Sequence, residues 1–417
     1  MSNNETVSIL LIHHRLPWPL NSGMDKVRFN LLVTLSKRYK VTLAVPIYEN
    51  TKPEWIEKVR PYVEDLVTVP VVSNENRIKR NKLLYLLSLT RLLFFRIPGY
   101  ASDNYYEAFK NRLVTLINEK QFAFVQILSD FSACYIPYLP QETYRITGPM
   151  DDTIELTSRS YQIETKKMSK LGLKFLYVAM KKYFSMICKR SDLVLFHSNE
   201  DLNRVKLVLG FDFNAGILPA VTERAKKAEE PIDDIEPNSI VFVGGFGTNF
   251  NQDAVMHLVS DILPIIRKKV PDVTLYLVGN NPPPFIIALG TNKNIIITGE
   301  VPDVRPFVRK AAVYVSSVRI GTGIKTKIIE ALSMSKALVV SSASMQGLWE
   351  TDDSICVSDN NNDFAEQVVA FLQNSDLRRK HEEGSAALYN RAYALSKAES
   401  LTLACYLEFE KKIPFFN

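Results

Sequence analysis

The chain has 417 residues, which exceeds the size of a single hydrophobic core and predicts two domains. Hydrophobic residues make up 46% of the sequence and charged residues 23%, a composition that excludes disordered and fibrous proteins. The net charge of +6 is too small to indicate nucleic-acid binding without a basic stripe, so we predict no nucleic-acid partner.

The cysteines and the first residues indicate the compartment. The four cysteines are far apart and form no C-x-x-C pair, which argues against a zinc site or a disulfide scaffold and fits a reducing environment. The polar start of the chain lacks the basic and apolar segments of a signal peptide. We therefore expect a cytoplasmic protein.

In the first half of the chain, apolar strand-like runs alternate with helical patterns. A strand is predicted over 7–12, and a helix follows from the turn residues before it to about residue 37, with Ser22 and Asp25 spaced as a capping box. Further strands are predicted over 41–46, 122–128 and 193–197. Continuous apolar runs of this kind are typical of a parallel sheet that is covered on both faces.

A charged, proline-bearing segment over 219–239 is predicted to be a linker. The alternation then restarts, with strands over 240–243, 274–278, 294–298, 312–316 and 337–341, helices over 254–268 and 325–335, and a helical tail over 363–416. We predict a first doubly wound domain over 1–218 and a second over 240–390. The C-terminal helix over 391–417 is expected to cross back to the first domain.

Two such domains facing across a cleft would bind a ligand between them, at the carboxyl ends of their strands. After the strand at 240–243, the loop reads GGFGTN, and its glycines would let backbone amides approach a phosphate. It matches neither the dinucleotide fingerprint nor a P-loop, and a simple tight turn is the alternative interpretation.

A second glycine-bearing loop, RIGTGIKTKIIEAL over 319–332, leads into a helix. Two lysines fall at or near the first turn of that helix, where the macrodipole disfavours cations. An anion docked there would resolve the conflict, with Arg319 and Lys327 as phosphate partners and Glu330 as an acceptor for ribose hydroxyls. The alternative is a solvated helix in which Lys327 and Glu330 form an i,i+3 pair.

From residue 240 to 348, with pieces such as FVGGFGTNFNQDAV, VTLYLVGNNPPP and RIGTGIKTKIIEAL, the chain resembles the donor domain of family 4 retaining glycosyltransferases. Within that family it is most similar to sugar transferases associated with exopolysaccharide and PEP-CTERM systems. The stretch ILLIHHRLPWPLNSGMDKVRFNLL resembles the opening of the family's acceptor domain. The resemblance implies a GT-B fold, retention at the anomeric carbon, a UDP- or GDP-linked sugar as substrate, no cofactor and no obligatory metal.

The resemblance also implies a donor site. Gly244 and Gly245 would lie at the diphosphate, Gly299 to Val301 by the base, Arg319 and Lys327 at the phosphates, and Glu330 at the ribose, with Thr322 and Gly323 completing the set. Family members commonly carry a sugar-binding glutamate where this chain has Thr322, and the Arg and Lys often found downstream of the glycine loop are missing.

On the acceptor side, the loop over 13–23 should project into the cleft. There Gly23 permits close backbone approach, and Lys26 and Arg28 would reach phosphate or acceptor. His13 and His14 are candidates for acid–base work, although a histidine at a strand end is often structural. Two further catalytic candidates are Asp130, which would position or deprotonate the acceptor hydroxyl or else cap a helix, and Asp151, which opens a polar loop with Asp152.

The sequence contains no D-x-D motif and no H-x-x-x-H spacing, so we predict no metal site. Two stretches, 77–96 and 166–190, mix basic and apolar residues without an acid. Such helices either lie on an anionic membrane, at its inner face, or pack on the core with a lysine-rich outer side.

The resemblance, together with these patterns, implies a metal-independent, retaining hexosyltransferase that acts on a glycan, lipid-linked or other hydroxyl acceptor in cell-surface polysaccharide biosynthesis. The departures around Thr322 and the glycine loop favour a different hypothesis, an inactive donor-binding subunit that scaffolds a partner transferase. A third hypothesis is another GT-B enzyme, such as a sugar-nucleotide epimerase.

Overall fold

The computed structural model describes residues 7–20, 23–72, 101, 103–150, 152–220, 235–319 and 325–413. This part of the chain forms two compact units, one of residues 7–220 with 399–413 and the other of residues 235–398. A parallel sheet with helices forms each unit.

The first unit contains a seven-stranded sheet in the order β3-β2-β1-β4-β5-β6-β7. Its strands are β1 (Ser8–Ile12), β2 (Lys40–Ile47), β3 (Asp65–Pro70), β4 (Val125–Ile127), β5 (Arg145–Met150), β6 (Leu193–Phe196) and β7 (Ala215–Ile217). Its helices include α1 (Gly23–Ser36), α2 (Pro53–Val59), α3 (Glu107–Glu119), α4 (Thr153–Ile163), α5 (Lys167–Arg190) and α6 (Asn199–Leu209). The strand order reverses between β1 and β4, which is where open parallel sheets bind ligands.

The apolar run of β1 is explained by burial on both faces of this sheet. Ile9 and Leu11 belong to one hydrophobic cluster, and Leu10 and Ile12 belong to the other. Because successive side chains of a strand point to opposite faces, all four must be apolar.

The second unit contains a six-stranded sheet in the order β10-β9-β8-β11-β12-β13. Its strands are β8 (Glu236–Val243), β9 (Thr274–Val278), β10 (Ile295–Gly299), β11 (Ala311–Ser316), β12 (Ala337–Val340) and β13 (Ile355–Val357). Its helices include α7 (Asn249–His257), α8 (Leu263–Lys269), α9 (Pro284–Ile287), α10 (Arg305–Lys310), α11 (Thr326–Ser333), α12 (Asn361–Gln373) and α13 (Ser375–Leu388). Here the order reverses between β8 and β11.

The last helix, α14 (Leu395–Glu410), contributes its residues from Glu399 onward to the first unit. Tyr406 is buried there, and its hydroxyl donates to Oε1 of Gln126 on β4 at 2.5 Å. At the end of the helix, Glu410 accepts hydrogen bonds from the guanidinium of Arg38 at 2.6 and 2.9 Å and from the hydroxyl of Tyr39 at 2.5 Å. The C-terminal part of α14 is therefore packed into the first unit.

Two predicted elements have different bounds in the structure. β8 begins at Glu236, inside the predicted linker, because Glu236 pairs in register with Ala311 and its carboxylate is held by Lys310 at 2.6 Å. The helix predicted over 254–268 begins at Asn249 and contains a π-helical turn, Leu258–Ile262. The π-helical turn ends two residues before Pro264. Because proline has no amide hydrogen, it cannot make the i→i−4 hydrogen bond of a regular α-helix at this point.

Together, the two Rossmann-like units and the helical C-terminus confirm the predicted fold class. Within the residues described, no helix combines the length and the apolar character needed to cross a bilayer.

Candidate functional site

The glycine loop after β8 is fixed against the end of β9. The amide of Gly244 donates to the carbonyl of Val278 at 3.0 Å, and the amide of Phe246 donates to the carbonyl of Asn280 at 2.9 Å. A Cβ atom placed on Gly279 would lie 1.6 Å from the carbonyl oxygen of Gly244. The two loops therefore approach closely backbone to backbone, and the Gly244 amide is already engaged by protein.

The start of α7 holds the same loop from its other side. Asn251 donates its amide to the carbonyl of Gly245 at 2.9 Å, and Gln252 donates to the carbonyl of Phe246 at 2.8 Å. A Cβ atom on Gly245 would lie 3.1 Å from the Asn280 side chain, so this position is tight as well. Asn251 and Gln252 therefore support the glycine loop through their side-chain amides.

The loop after β10, proposed to lie by the base, leaves the strand through Gly299, whose φ of +67° suits glycine. Val301 follows two residues later and is half-buried. Both residues lie at the carboxyl edge of the second sheet, as predicted for a ligand-facing loop, and their contact with a base stays a prediction.

Arg319 follows β11 and points at α7. Its Nη2 donates to Oδ1 of Asp253 at 2.5 Å and its Nε donates to Oδ2 at 3.1 Å, which is a bidentate pair. The side chain of Arg319 remains half-exposed. The hydrogen bonds to Asp253 raise the pKa of Arg319 further, so the guanidinium stays charged. This cation is therefore fixed in direction, with one side open to solvent.

Lys327 lies in the first turn of α11, and its Nζ donates to Oε2 of Glu330 at 2.8 Å. The structure thus shows the i,i+3 pair that was the alternative to phosphate binding. The pair has the weaker order, lysine before glutamate, and contributes about a few tenths of a kcal/mol. Because this ion pair contributes so little free energy, an incoming anion could displace it at low cost. Thr322 and Gly323 lie outside the described residues.

A cavity of about 250 Å³ opens at the carboxyl ends of β11, β12 and β13 in the second unit. Its lining combines apolar side chains such as Ile262 and Phe364 with Arg319 and with a set of hydroxyl, carboxamide and imidazole residues: Ser317, Ser341, Ser342, Ser358, Asn360, Asn361 and His257. Sequence reasoning missed this cavity. The available signal was a pair of serines at the end of each strand, Ser316 and Ser317 at the end of β11 and Ser341 and Ser342 after β12.

In the first unit, the switch between β1 and β4 brings two of the catalytic candidates together. Nδ1 of His14 lies 3.3 Å from the hydroxyl of Ser129, the residue before Asp130. The imidazole of His14 also stacks on the ring of Phe131, with 4.9 Å between the ring centroids. Burial, followed by the charges of Arg28 and Arg15, holds the pKa of His14 well below its ordinary value, so its ring stays neutral and can accept a hydrogen bond.

Asp130 begins a 3-10 helix, Asp130–Tyr138, as its first residue rather than as its cap. Its carboxylate accepts from the amide of Phe131 at 3.1 Å and from the hydroxyl of Thr153 at 3.4 Å. The residue is 6% exposed. These two donors therefore hold the Asp130 carboxylate in place, and the residue is only slightly exposed to solvent at the carboxyl end of β4.

His13 and Asp152 are engaged in structural contacts. The fully buried His13 places Nδ1 2.7 Å from the carbonyl of Arg15 and donates to it, and burial lowers its pKa. Asp152 is the N-cap of α4, accepting from the amide of Glu155 at 2.9 Å, and burial raises its pKa to about 6. Asp151 lies outside the described residues.

The three acceptor-side candidates are all near the start of α1. Gly23 is its first residue, Lys26 is half-buried, and Arg28 is buried close enough to both histidines to lower their pKa values. The predicted capping box rests on Ser22, which is outside the described residues. Asp25 is buried and pairs with Arg15 at 2.5 Å.

Among the described residues, no group of three or more His, Cys, Asp or Glu side chains is arranged to hold a metal ion.

Comparison with known protein families finds a match within the second unit. Residues 237–374 match the family described as Glycosyl transferases group 1. A search of curated protein sequences finds no match.

The fold of the whole chain is similar to several solved structures. It is similar to TarM, with a TM-score of 0.69, 11% identity and 99% of both chains covered. It is also similar to a Staphylococcus aureus TarM variant in complex with fondaparinux, α-GlcNAc-glycerol and UDP (TM-score 0.64, 11% identity, 99% and 100% covered). A third is Anabaena HepE in complex with UDP-glucose (TM-score 0.62, 8% identity, 96% and 99% covered).

At these identities the structural likeness shows the GT-B fold alone. The group 1 match contains the glycine loop, Arg319, Lys327 and Glu330. This match and the GT-B fold of the chain together support a glycosyltransferase.

Proposed function

We propose that the protein is a retaining, metal-independent glycosyltransferase of the family 4 kind that transfers a hexosyl group from a UDP- or GDP-sugar to a hydroxyl acceptor. The acceptor would be a glycan or a lipid-linked saccharide of cell-surface polysaccharide biosynthesis, and the reaction would run on the cytoplasmic side of the membrane. The observation that carries the proposal is the group 1 match over residues 237–374, which contains the cations and the helix start described above. The bound UDP-glucose of HepE and UDP of the TarM variant support a nucleotide-sugar donor.

The donor diphosphate would dock at the start of α11. Backbone amides of the first turn and the positive end of the helix dipole attract anions there. Lys327 would turn from Glu330 to the phosphates, and the half-exposed Arg319 would add a second positive charge. These groups would stabilise the charge that develops on the departing diphosphate, in the way that a metal does in other transferases.

Glu330 would take a second role in this exchange. Its side chain is 12% exposed and is paired with Lys327 at 2.8 Å. Once a phosphate holds Lys327, the carboxylate of Glu330 would accept hydrogen bonds from ribose hydroxyls in place of the lysine, which would fix the nucleoside. A ligand with both a ribose and a diphosphate would therefore bind better than either part alone.

The acceptor would be handled by the first unit. The neutral imidazole of His14 and the carboxylate of Asp130 lie at the carboxyl ends of β1 and β4. Either group can accept a hydrogen bond from a sugar hydroxyl and so orient it for attack. Asp130, whose carboxylate already has two donors, is better suited to positioning than to free proton exchange.

The test is calorimetric titration of the full chain with UDP and with GDP, with and without magnesium. We expect one nucleotide to bind without metal and Lys327→Ala to weaken its binding at least ten-fold, because the variant loses a charge-assisted phosphate contact. Lys268→Ala is the matched control, since Lys268 is exposed on the same unit and lies outside the site. Absence of binding by either nucleotide at millimolar concentration would refute the donor-site assignment.

A second measurement separates the proposal from the scaffold and epimerase hypotheses. The purified chain is incubated with the sugar derivative of the nucleotide that binds, and free nucleotide is measured with and without saccharide acceptors. Acceptor-dependent release supports the transferase. Binding without any release would favour the inactive scaffold, and acceptor-independent release with an epimerised sugar would favour the epimerase.

A further inference from the structure

Helix α5 exposes a row of large apolar side chains along its first half. Met168, Leu171, Phe175 and Val178 are 80, 48, 50 and 44% exposed. Their spacing of three, four and three residues places them within about 80° of one another around a helix of 3.6 residues per turn. We call this row the apolar stripe of α5. Isolated exposed apolar residues are ordinary, but a continuous row of four indicates an interaction surface.

The apolar stripe lies on a helix that is packed against the hydrophobic core. The second half of α5 is anchored in the core by buried side chains such as Met180, Tyr183, Phe184 and Ile187. In the first half, Leu176 and Tyr177 pack, partly buried, against the same core cluster. One face of α5 therefore packs on the core, and the apolar stripe lies on a different, exposed face of the helix.

Lysines accompany the stripe. The segment 166–190 contains no acidic residue. On the helical wheel, four lysines, three in the first half of α5 and one just beyond it, form a second row directly beside the apolar stripe: Lys167, Lys170, Lys174 and Lys181. Lys182 falls within the stripe itself and is exposed. An apolar row flanked by cations is the pattern of a helix that lies in a membrane interface.

We propose that this face of α5 docks on an anionic lipid surface, with the apolar stripe entering the headgroup–acyl boundary and the adjacent lysines contacting lipid phosphates. Charge complementarity distinguishes this occupant from a second copy of the chain. A two-fold pair of α5 faces would bring two lysine rows into one interface, and α5 has no acid to pair with them. A lipid surface supplies both the apolar layer and the negative charge.

The docking surface does not depend on the proposed function. If both hold, the acceptor of the transferase is a lipid-linked saccharide, because docking would keep the first unit at the membrane where such acceptors lie. The second basic stretch, 77–96, is outside the described residues and takes no part in this inference.

The test is flotation of the full chain with vesicles of phosphatidylcholine alone and of three parts phosphatidylcholine to one part phosphatidylglycerol. We expect binding to the anionic vesicles only. The double variant Leu171→Ser/Phe175→Ser should bind them at least ten-fold more weakly. The triple variant Lys167→Gln/Lys170→Gln/Lys174→Gln should lose binding more strongly, since each lysine near an anionic surface strengthens binding about five-fold.

Matched controls carry the same chemical changes elsewhere. Leu207→Ser alters an apolar side chain on α6 that is 82% exposed. Lys58→Gln/Lys268→Gln/Lys293→Gln removes three exposed lysines and leaves the same net charge as the α5 triple variant. Both controls should bind vesicles like the unchanged chain. Equal loss in the controls and the α5 variants would overturn the proposal, because binding would then follow net charge or folding.

Two further results would also overturn it. One is no vesicle binding by a chain that still binds nucleotide, which separates this inference from the donor site. The other is a dimer in sedimentation analysis that Phe175→Ser converts to a monomer, which would make the stripe a contact between copies.

Discussion

The close approach of Gly279 to Gly244 gives the sharpest mechanical prediction. In Gly279→Ala the new Cβ would lie 1.6 Å from the Gly244 carbonyl oxygen, about 2 Å inside an ordinary contact. The oxygen belongs to the backbone and the position of a Cβ atom is fixed by its own backbone, so no side-chain rotation can relieve the clash. The loops must separate, and this breaks the bonds from the Gly244 amide to Val278 and from the Phe246 amide to Asn280.

The cost of this separation follows from its parts. Each lost hydrogen bond costs about 1 kcal/mol net, and overpacking costs a further 1–3 kcal/mol or so. The free energy of unfolding of the second unit should therefore fall by about 3–5 kcal/mol. At roughly 2–4 °C per kcal/mol for a unit of this size, its melting temperature should fall by about 10 °C.

The assay is thermal unfolding followed by calorimetry, in which the two units are analysed as separate transitions. Gly247→Ala is the control, because its Cβ would lie 3.5 Å from the Asn281 Cβ, an ordinary contact. That variant should melt within a few degrees of the unchanged chain. Equal melting of the Gly279 and Gly247 variants would refute the close-approach reasoning. Nucleotide affinity, measured below the melting range, should weaken in Gly279→Ala alone.

Three further changes have defined outcomes. Burial lowers the pKa of Lys336 from 10.5 to about 8, so between these pH values the unfolded chain binds more protons than the folded chain. The free energy of unfolding should therefore rise by about 3 kcal/mol as the pH increases from 8 to 10.5. Urea unfolding of the Lys336→Met variant should lack this rise. Glu410→Gln weakens the charged contact with Arg38 and should cost the first unit about 1–3 kcal/mol in urea unfolding, whereas an unchanged midpoint would contradict the docking of α14. Asp253→Asn releases Arg319, and calorimetry should show nucleotide binding strengthened about two- to five-fold; weaker binding would instead show that Asp253 positions the arginine.

The sheets were predictable wherever a strand is a continuous apolar run. β9 was predicted at its observed bounds, and β1, β2 and β11 to within a residue at each end. β5 was missed because its sequence, RITGPM, reads as turn chemistry. It forms a strand because Ile146 pairs with Leu193, and because the backbone amide of Arg145 donates to Asp192 at 2.7 Å. Those partners lie more than 40 residues away and leave no local signal.

The candidate site was predictable only in part, for a related reason. A glycine loop before a helix and the order of Lys327 and Glu330 are local patterns, so sequence reasoning found them and also foresaw their pairing. The partner of Arg319 is Asp253, 66 residues earlier in the chain, and nothing local indicates that pair. The cavity at the carboxyl ends of β11, β12 and β13 likewise arises from loops that only the strand order brings together.

Both cations that are predicted to bind phosphate, Lys327 and Arg319, are paired with carboxylates in the structure. This pairing changes how the donor site should be tested. Lys327 sits where the helix dipole disfavours a positive charge, and Glu330 compensates for this in the structure. A bound diphosphate would provide the same compensation and release the carboxylate to the ribose. Replacing Glu330 therefore removes a ribose contact and also frees Lys327 for the phosphate. Nucleotide affinity alone would report only the difference of these effects. The two effects can be separated by titrating Glu330→Gln with inorganic pyrophosphate as well as with nucleotide. Pyrophosphate should bind more tightly to the variant than to the unchanged chain, and the affinity for nucleotide should increase less. Equal increases in affinity would show that Glu330 makes no ribose contact.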